Sequence, residues 1–151
     1  MAALTAHKID PLALERQVCF ALATTNRAVL AVYRPLLEPL GLTHPQYLVM
    51  LALWERDGVP VKDIGERLFL DSGTLTPLLK RLEAMGHLTR QRDPKDERQV
   101  RVRLTPEGRK VRERALAFRS ELVRAMGLDA ADFQHLREEL VKLRTNLSTA
   151  T

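Results

Sequence analysis

Apolar side chains recur at helical spacing in the first third of the chain. Residues 12–34 carry a continuous apolar face, which predicts a long amphipathic helix that Pro35 perturbs or ends. Thr43 and Gln46 have the spacing of a capping box, so a second helix is predicted to begin there. Its body, residues 47–54, is apolar on every face. We therefore expect other elements to enclose it.

A short helix, a turn and a longer helix are predicted next. The short helix has its apolar stripe at Val61, Ile64 and Leu68, and the longer helix covers residues 72–85 before Gly86 ends it. Residues 69–71 form the connection between them. Two helices joined by a three-residue turn make a helix-turn-helix.

Alternation with a period of two follows this unit. Residues 88–92 and 99–104 are strand-like, and in the second stretch valine and leucine alternate with glutamine and arginine. The polar residues 93–98 are predicted to form the loop between the two strands. A basic β-hairpin, or wing, therefore follows the helix-turn-helix directly.

The C-terminal part of the chain predicts two further helices. Thr105 and Asp129 are suited to cap their first turns. In the last helix, apolar residues step alternately by three and four, as in a coiled-coil seam: Phe133, Leu136, Leu140, Leu143 and Leu147. The preceding helix repeats the pattern at Val111, Ala115, Phe118, Leu122 and Ala125. We expect these helices to form a dimerisation region, and the alternative is that the two stripes pack on each other within one subunit.

The predicted fold is mainly α with a small β-hairpin wing, organised as one domain over residues 1–151. Residues 43–104 would form a winged helix-turn-helix, and residues 12–40 and 105–148 would supply the dimerisation helices. A chain of 151 residues is long enough to bury an apolar core. Elongated helical chains often complete that core by dimerising.

The charge of the chain is unevenly distributed. The formal net charge is +5, yet residues 80–114 alone contain twelve Lys or Arg against six Asp or Glu. A concentrated positive charge favours a polyanionic partner. Because most of this segment is the end of the helix-turn-helix and its wing, we expect that partner to be double-stranded DNA.

The sequence lacks the motifs that are typical of disulfide-rich, membrane-spanning and several enzyme classes of protein. One cysteine cannot form an internal disulfide framework, and residues 47–54 are the longest apolar run, far short of a membrane span. There is no glycine-rich phosphate loop, nucleophile elbow or pair of zinc ligands. We therefore expect a cytoplasmic protein that is no enzyme, holds no metal or cofactor and does not enter a membrane.

The residues predicted to contact DNA lie on the second helix of the helix-turn-helix and on the wing. Small polar side chains near the start of such a helix, and cations further along it, suit base edges and phosphates in the major groove. On the helix these are Ser72, Thr74, Thr76, Lys80 and Arg81. On the wing they are Arg92, Lys95 and Arg98, with Arg98 expected at the tip, in the minor groove. The alternative is a solvated hairpin whose charges form salt bridges with one another.

The single cysteine, Cys19, lies on the first predicted helix. A lone cysteine in a helix is most often a small buried hydrophobe. The other interpretation is a chemical sensor, because a thiolate is nucleophilic and reacts with peroxides. Residue types alone favour the first interpretation.

Several motifs together resemble the MarR family of winged-helix regulators. These are the helix-turn-helix, residues 96–98 (DER) in the wing and residues 104–108 (LTPEG) after it. More narrowly, the chain resembles the OhrR branch, which represses genes for organic hydroperoxide resistance. This likeness lies in residues 19–22 (CFAL), 33–37 (YRPLL), 42–47 (LTHPQY) and 70–77 (LDSGTLTP).

The resemblance implies a one-cysteine sensor. Cys19 would be oxidised by an organic hydroperoxide, whereupon a homodimeric repressor would leave its pseudo-palindromic operator. Two tyrosines of the family hydrogen-bond the reactive cysteine; the first corresponds to Tyr33, and the second position holds His44. A histidine can also hydrogen-bond a thiolate. The alternative for His44 is a helix-entry residue near solvent.

The oxidised thiol has no second cysteine to pair with. It would form a mixed disulfide with a low-molecular-weight thiol, condense with a backbone nitrogen, or oxidise further. Cys19 and Tyr33 are 14 residues apart, about 21 Å along one helix, so they cannot touch within it. Contact would require a second subunit whose helix runs antiparallel.

Two other functions are compatible with the sequence. One keeps DNA binding but replaces oxidation with a small aromatic ligand held between the helical region and the winged region. The other is a thiol peroxidase that turns over hydroperoxide with Cys19, although no resolving cysteine accompanies it. Release of DNA by a phenol under reducing conditions would favour the first, and steady turnover would favour the second.

Overall fold

The computed structural model describes residues 10–150. The domain prediction also included residues 1–9 and 151, which lie outside the described range. Within residues 10–150, α-helices dominate and a three-stranded sheet interrupts them, in the order α1 (Val18–Leu37), α2 (His44–Glu55), β1 (Val59–Pro60), α3 (Val61–Leu68), α4 (Ser72–Ala84), β2 (Leu88–Asp93), β3 (Asp96–Leu104), α5 (Pro106–Ala117), α6 (Arg119–Met126) and α7 (Ala130–Thr149). The predicted fold class, mainly α with a wing, is confirmed.

The predicted caps begin the helices where expected. Thr43 and Gln46 form a complete capping box at α2, with the Thr43 backbone N–H donating to the Gln46 side chain at 2.9 Å. The Thr105 hydroxyl accepts a hydrogen bond from the Gly108 N–H, and the Asp129 carboxylate accepts one from the Asp132 N–H. Each bond satisfies a backbone donor that has no partner inside its own helix.

The winged-helix core is formed by side chains from all of its elements. Members that are almost fully buried come from α2, α3, α4 and the sheet: Val49, Met50, Leu53, Ile64, Leu75, Leu79, Leu82, Leu88 and Val102. The end of α1 and the α5–α6 segment pack against the same cluster. Within the described residues, no helix is both long and apolar enough to cross a membrane.

The wing is longer and more tightly turned than predicted. Strands β2 and β3 pair antiparallel, and only Pro94 and Lys95 separate them, so the expected loop over residues 93–98 is wrong. The Asp93 carboxylate holds this turn, because it accepts hydrogen bonds from the Lys95 N–H and the Arg101 side chain. A third strand, β1, pairs with β3 and places Val59 opposite Val102. Two residues of strand are too short for an alternating pattern to reveal.

The first helix also differs from its prediction. Residues 14–16 form a 3-10 turn, so α1 begins at Val18 and not at residue 12. It continues past Pro35 to Leu37, because a proline removes only its own N–H donor and the N–H groups after it can still bond, as the Glu38 N–H does to the Arg34 carbonyl. The periodicity continued through the 3-10 turn and concealed the break.

Apolar stripes in the helices have different fates. Leu48 and Leu51 of α2 are 37% and 40% exposed, so the expectation that this helix is enclosed on every face is wrong for the chain by itself. The stripe predicted before residue 127 is split by a break at Phe118 and is mostly buried in the core of the chain itself. In contrast, no side chain of α7 is buried. The two stripes therefore do not pack on each other within one subunit.

Candidate nucleic-acid interface and thiol site

The helix predicted to enter the major groove is α4. Asp71 caps it by accepting a hydrogen bond from the Thr74 N–H at 2.8 Å, and three leucines anchor its inner face in the core. This fixes which side chains point outward. Four of the five predicted contact residues, Ser72, Thr74, Lys80 and Arg81, are exposed. The fifth, Thr76, is half-buried because it faces the wing.

Some cationic side chains of the wing form ion pairs within the chain. The Arg90 guanidinium binds the Glu83 carboxylate at 2.8 Å, and its hydrogen bonds hold the pKa of Glu83 below the usual value. Arg101 binds Asp93 and donates to the Gly58 carbonyl at 2.9 Å. The Arg101 hydrogen bond likewise lowers the pKa of Asp93. The wing is thus partly salt-bridged, as the alternative interpretation expected.

The predicted contact residues of the wing remain on its surface. Arg92, Lys95 and Arg98 are not buried, and none takes part in an ion pair within residues 10–150. Lys95 occupies the turn, whereas Arg98 lies on β3 beyond it. The expected place of Arg98 at the tip is therefore wrong, because the turn is two residues long.

Arg98 instead lines a groove between α4 and the wing. The groove has a volume of about 620 Å³, and Thr76 of α4 also lines it. Lys62 and Gln99 contribute to the same walls, and no pattern in the sequence predicted either of them there. Lys62 reaches the groove because β1 pairs with β3, which brings the start of α3 beside the wing. No periodic signal in the sequence reveals that pairing.

Cys19 is the second residue of α1, and its side chain is exposed in the chain. The interpretation of Cys19 as a buried hydrophobe is therefore wrong for the chain by itself. Val18 and Leu22 on the same segment are exposed apolar residues. The thiol thus lies on an uncovered apolar surface at the start of the helix.

Tyr33, His44 and Tyr47 form an aromatic cluster near the other end of α1. The ring centroids of Tyr33 and His44 are 4.9 Å apart in an edge-on arrangement, and Tyr47 lies 5.8 Å from Tyr33. Burial raises the pKa of Tyr33 and lowers the pKa of His44, which favours a neutral phenol and a neutral imidazole. His44 is therefore half-buried in the cluster and is not a simple solvent-facing entry residue.

The structure brings Tyr33 and His44 together, but not with Cys19 of the same chain. Cys19 and Tyr33 belong to one continuous helix, so 14 residues place them about 21 Å apart along it. The expectation that they cannot touch within one helix therefore applies to the observed α1.

A cavity of about 770 Å³ adjoins the aromatic cluster. Its walls come from α1, α2, α5, α6 and α7, and cations outnumber carboxylates in them by three to two. The aromatic and charged members are Tyr33, Tyr47, Trp54, Phe133, Arg112, Arg119, Arg137, Glu55 and Asp129. Over the described part of the chain, no group of three or more His, Cys, Asp or Glu side chains is placed to hold a metal ion. The cavity suits an organic molecule that is partly apolar and partly anionic.

Relatives of known type cover most of the chain. A family model described as transcriptional regulator SarA/Rot matches residues 31–114. The HTH-type transcriptional regulator TtmR of Methylorubrum extorquens is 47% identical over 91% of this chain and 71% of its own length. The organic hydroperoxide resistance transcriptional regulator of Bacillus subtilis is 41% identical over 93% of this chain and 96% of its own.

Solved structures show the same architecture. AbfR of Staphylococcus epidermidis aligns with a TM-score of 0.76 at 36% identity, covering 90% of this chain and 94% of AbfR. Reduced AbfR bound to DNA aligns with a TM-score of 0.70 at 34% identity, covering 89% and 93%. The chain therefore belongs to the SarA/Rot family of transcriptional regulators and is a winged-helix protein of the MarR type.

Proposed function

We propose that the protein is a homodimeric repressor that releases its operator when an organic hydroperoxide oxidises Cys19. One observation carries the proposal. An exposed thiol begins α1, and a pair of hydrogen-bonding rings, Tyr33 and His44, lies near the end of the same helix. A second chain with its α1 antiparallel would bring the thiol of each subunit to the rings of the other.

Uncovered apolar surface supports this dimer. Val18 and Leu22 beside the thiol are exposed, and the seam of α7 is not covered within the chain. Large apolar patches on a folded chain are usually covered by a partner. A two-fold axis would place two recognition helices on half-sites about 34 Å apart, which explains why the operator would be pseudo-palindromic.

The DNA contacts follow from the surface of the winged region. Ser72, Thr74, Thr76, Lys80 and Arg81 would lie in the major groove, and Arg92, Lys95 and Arg98 would bind phosphates and the minor groove. The structure of reduced AbfR bound to DNA supports this assignment by likeness. Such a regulator would act in the cytoplasm, where thiols are kept reduced.

The sensing step transfers one oxygen atom. The Cys19 thiolate attacks the outer peroxide oxygen, the O–O bond breaks, and the alkoxide leaves as an alcohol after taking up a proton. The sulfur loses two electrons and becomes a sulfenic acid, while the peroxide is reduced. Tyr33 of the partner subunit would donate its O–H to the thiolate, since burial keeps the phenol protonated by raising its pKa. Because the chain has one cysteine, we expect a mixed disulfide with a low-molecular-weight thiol to follow.

The test compares native protein with Cys19→Ser on a DNA duplex that the reduced native protein selects from a random-sequence pool. Cumene hydroperoxide should release the native protein, and a thiol reductant should restore binding. Cys19→Ser should bind equally well and stay bound. Peptide mass mapping separates sulfur oxidation at Cys19 from oxidation of the four methionines. Release of Cys19→Ser by the peroxide would contradict the proposal.

The hydrogen-bond donors are tested by the rate of thiol oxidation. Tyr33→Phe removes only the hydroxyl, and without this hydrogen bond to a charged group oxidation should slow by about 10- to 100-fold. Tyr47→Phe removes a hydroxyl from the same cluster and serves as the matched control. His44→Tyr, which restores the residue of the family, should keep the response. Equal rates for Tyr33→Phe and native protein would remove Tyr33 from the sensor.

The DNA contacts are tested by the salt dependence of binding. Arg98→Ala should weaken binding and lower the slope of log K against log salt by about 0.9 for each phosphate that the variant no longer neutralises. Lys110→Ala removes the same charge from α5, away from the groove, and should leave the slope unchanged. An unchanged slope for Arg98→Ala would remove Arg98 from the interface.

The cavity supports a second candidate, a repressor released by an aromatic acid without redox chemistry. Its aromatic and cationic walls suit such a ligand. A phenolic acid should then release both native protein and Cys19→Ser under fully reducing conditions. Under the redox proposal, neither protein responds to it.

A further inference from the structure

Phe69 occupies an unusual position in the turn of the helix-turn-helix. Its backbone φ is +56°, the only positive value at a residue other than glycine within residues 10–150. This left-handed region favours glycine. The Phe69 side chain is 64% exposed, so burial in the core does not offset the backbone strain. Neither the backbone nor the core accounts for a phenylalanine here.

The Phe69 ring instead contacts a cation from the far end of the chain. The guanidinium carbon of Arg144 lies 4.0 Å from the ring centroid, the arrangement of a cation–π pair. Arg144 belongs to α7, and it takes part in no ion pair of the described residues. The ring is therefore the partner that the structure provides for this charge.

This contact joins the turn of the helix-turn-helix to α7, whose side chains are not buried. Phe69 comes two residues before Asp71, which caps α4, so its position bears on the direction of that helix. Arg144 lies between Leu140 and Leu147 of the exposed apolar seam, on a helix with no buried side chain. A displacement of α7 would thus be transmitted to the turn that precedes α4.

We propose that Arg144 is a positioning residue for DNA binding, which acts by holding the Phe69 ring and thereby orienting α4 relative to α7. The inference rests on the proposed dimer, in which α7 lies at the subunit interface. Two half-sites at a fixed separation accept only one mutual orientation of the recognition helices. Removal of either partner should therefore weaken DNA binding although neither residue touches DNA.

The test is a double-mutant cycle on the selected duplex, with Arg144→Gln, Phe69→Leu and the double variant. One exposed cation–π pair changes an equilibrium by about two- to fivefold, and a dimer has two. Each single variant should therefore weaken binding by about 4- to 25-fold, and the double variant by no more than either. Lys142→Gln removes the same charge from α7 and should bind as the native protein does. Phe69→Tyr keeps an aromatic ring and should bind the duplex as tightly as the native protein does.

A second variant separates positioning from folding. Phe69→Gly relieves the left-handed strain, so its melting temperature should be unchanged or higher. Its affinity for the duplex should nevertheless fall as far as that of Phe69→Leu. If Phe69 were merely structural, stability and affinity would change in the same direction.

The outcomes separate this inference from the proposed function. All binding is measured with reduced protein and without peroxide. Additive effects in the cycle, or a shallower salt slope for Arg144→Gln that would indicate a phosphate contact, would overturn the inference alone. Failure of the native protein to select any duplex would overturn both.

Discussion

Leucines of the winged region and of the last helix differ in how far they are buried within the chain. Leu53 of α2 is fully buried within its own chain, whereas Leu140 of α7 is 44% exposed. Leu53 belongs to a run that is apolar on every face, and Leu140 belongs to an apolar stripe with helical spacing. The core of the winged region is therefore covered within one chain, whereas the apolar stripe of α7 needs another surface to cover it. A stripe in the sequence indicates burial but does not identify the partner.

The joint between the winged region and α5 is tightly packed. Trp54 donates its indole N–H to the Gly108 carbonyl at 2.9 Å, and α5 starts against the backbone of His87. The Asp57 carboxylate also binds the Leu104 N–H and the Arg109 side chain. The winged region is thus bonded firmly to the start of α5, whereas α7, further along the chain, has no buried side chain.

The largest expected effect lies in the completed core. Leu53→Ala should lower the free energy of unfolding by about 2–5 kcal/mol, because it leaves a cavity that the packed surroundings fill only in part. Urea unfolding at several protein concentrations measures it. The decrease should be the same at each concentration. A decrease that appears only at high concentration would mean that Leu53 is covered by a second chain.

A substitution at the joint should have the next largest effect. A Cβ atom at Gly108 would lie 2.0 Å from the His87 carbonyl oxygen, so Gly108→Ala must push α5 away from the winged region. We expect a decrease of about 1–3 kcal/mol in the free energy of unfolding. Gly127→Ala is a contrasting control, since its Cβ meets no neighbour and only its positive φ opposes the change. An unaltered stability of Gly108→Ala would contradict the tight joint.

A substitution in the exposed stripe of α7 should change the stability of the dimer and leave that of the single chain almost unchanged. Leu140→Ala should cost about 1 kcal/mol per subunit of dimer stability, which raises the dimer dissociation constant by about thirtyfold. Sedimentation equilibrium gives that constant, and unfolding of dilute protein should change little. If Leu140→Ala destabilises the dilute chain as much as Leu53→Ala does, the two regions do not differ.

The smallest effect concerns the charges of the winged region. The pKa of Glu83 lies below its ordinary value of 4.5 because Arg90 hydrogen-bonds it, and Arg101 similarly lowers the pKa of Asp93. Burial would raise the pKa of Asp57, but hydrogen bonds from Leu104, Arg109 and Gly58 outweigh it. Because folding lowers the pKa of each of these carboxyl groups, the unfolded chain binds more protons than the folded chain when these groups titrate. The stability that they contribute is therefore complete above their ordinary pKa values and is lost as the pH falls through the lowered values.

Unfolding curves at about pH 7 and about pH 4 check this dependence on Glu83. Glu83→Gln should be slightly less stable than the native protein at the higher pH, and the gap should narrow in acid. Lys62→Gln breaks an exposed pair at 3.6 Å between Lys62 and Glu66 and should show a gap of less than about 1 kcal/mol at neutral pH. A gap for Glu83→Gln that widens in acid would contradict the assigned sign.

Local features of the fold were predictable because short-range chemistry determines them. The hydroxyl of Thr105 and the carboxylate of Asp129 cap helices from three residues away, and the turn before α4 follows from the end of the periodicity after Leu68. The outward residues of α4 were predicted for the same reason, since its leucines must face inward. Only Thr76 departs, because the wing covers it.

Features that depend on distant pairing were not predictable. The wing turn is shorter than its polar residues suggested, because the Asp93 side chain joins Arg101 from the other strand. That pairing moves Arg98 from the tip to the groove wall, and β1 adds Lys62 to the same groove. The Phe69–Arg144 contact likewise joins residues that no local pattern connects.

The sequence by itself determined where the capped helices α2, α4, α5 and α7 begin, which face of α4 is apolar, and that one cysteine shares a helix with Tyr33 at a distance it cannot bridge. These follow from spacing and from interactions within a few residues. Only the tertiary structure decided which apolar stripes are covered, that Tyr33 meets His44, and that Arg144 meets Phe69. The reason is that burial and contact depend on how distant segments pack, and the spacing of residues along one segment does not specify its neighbours.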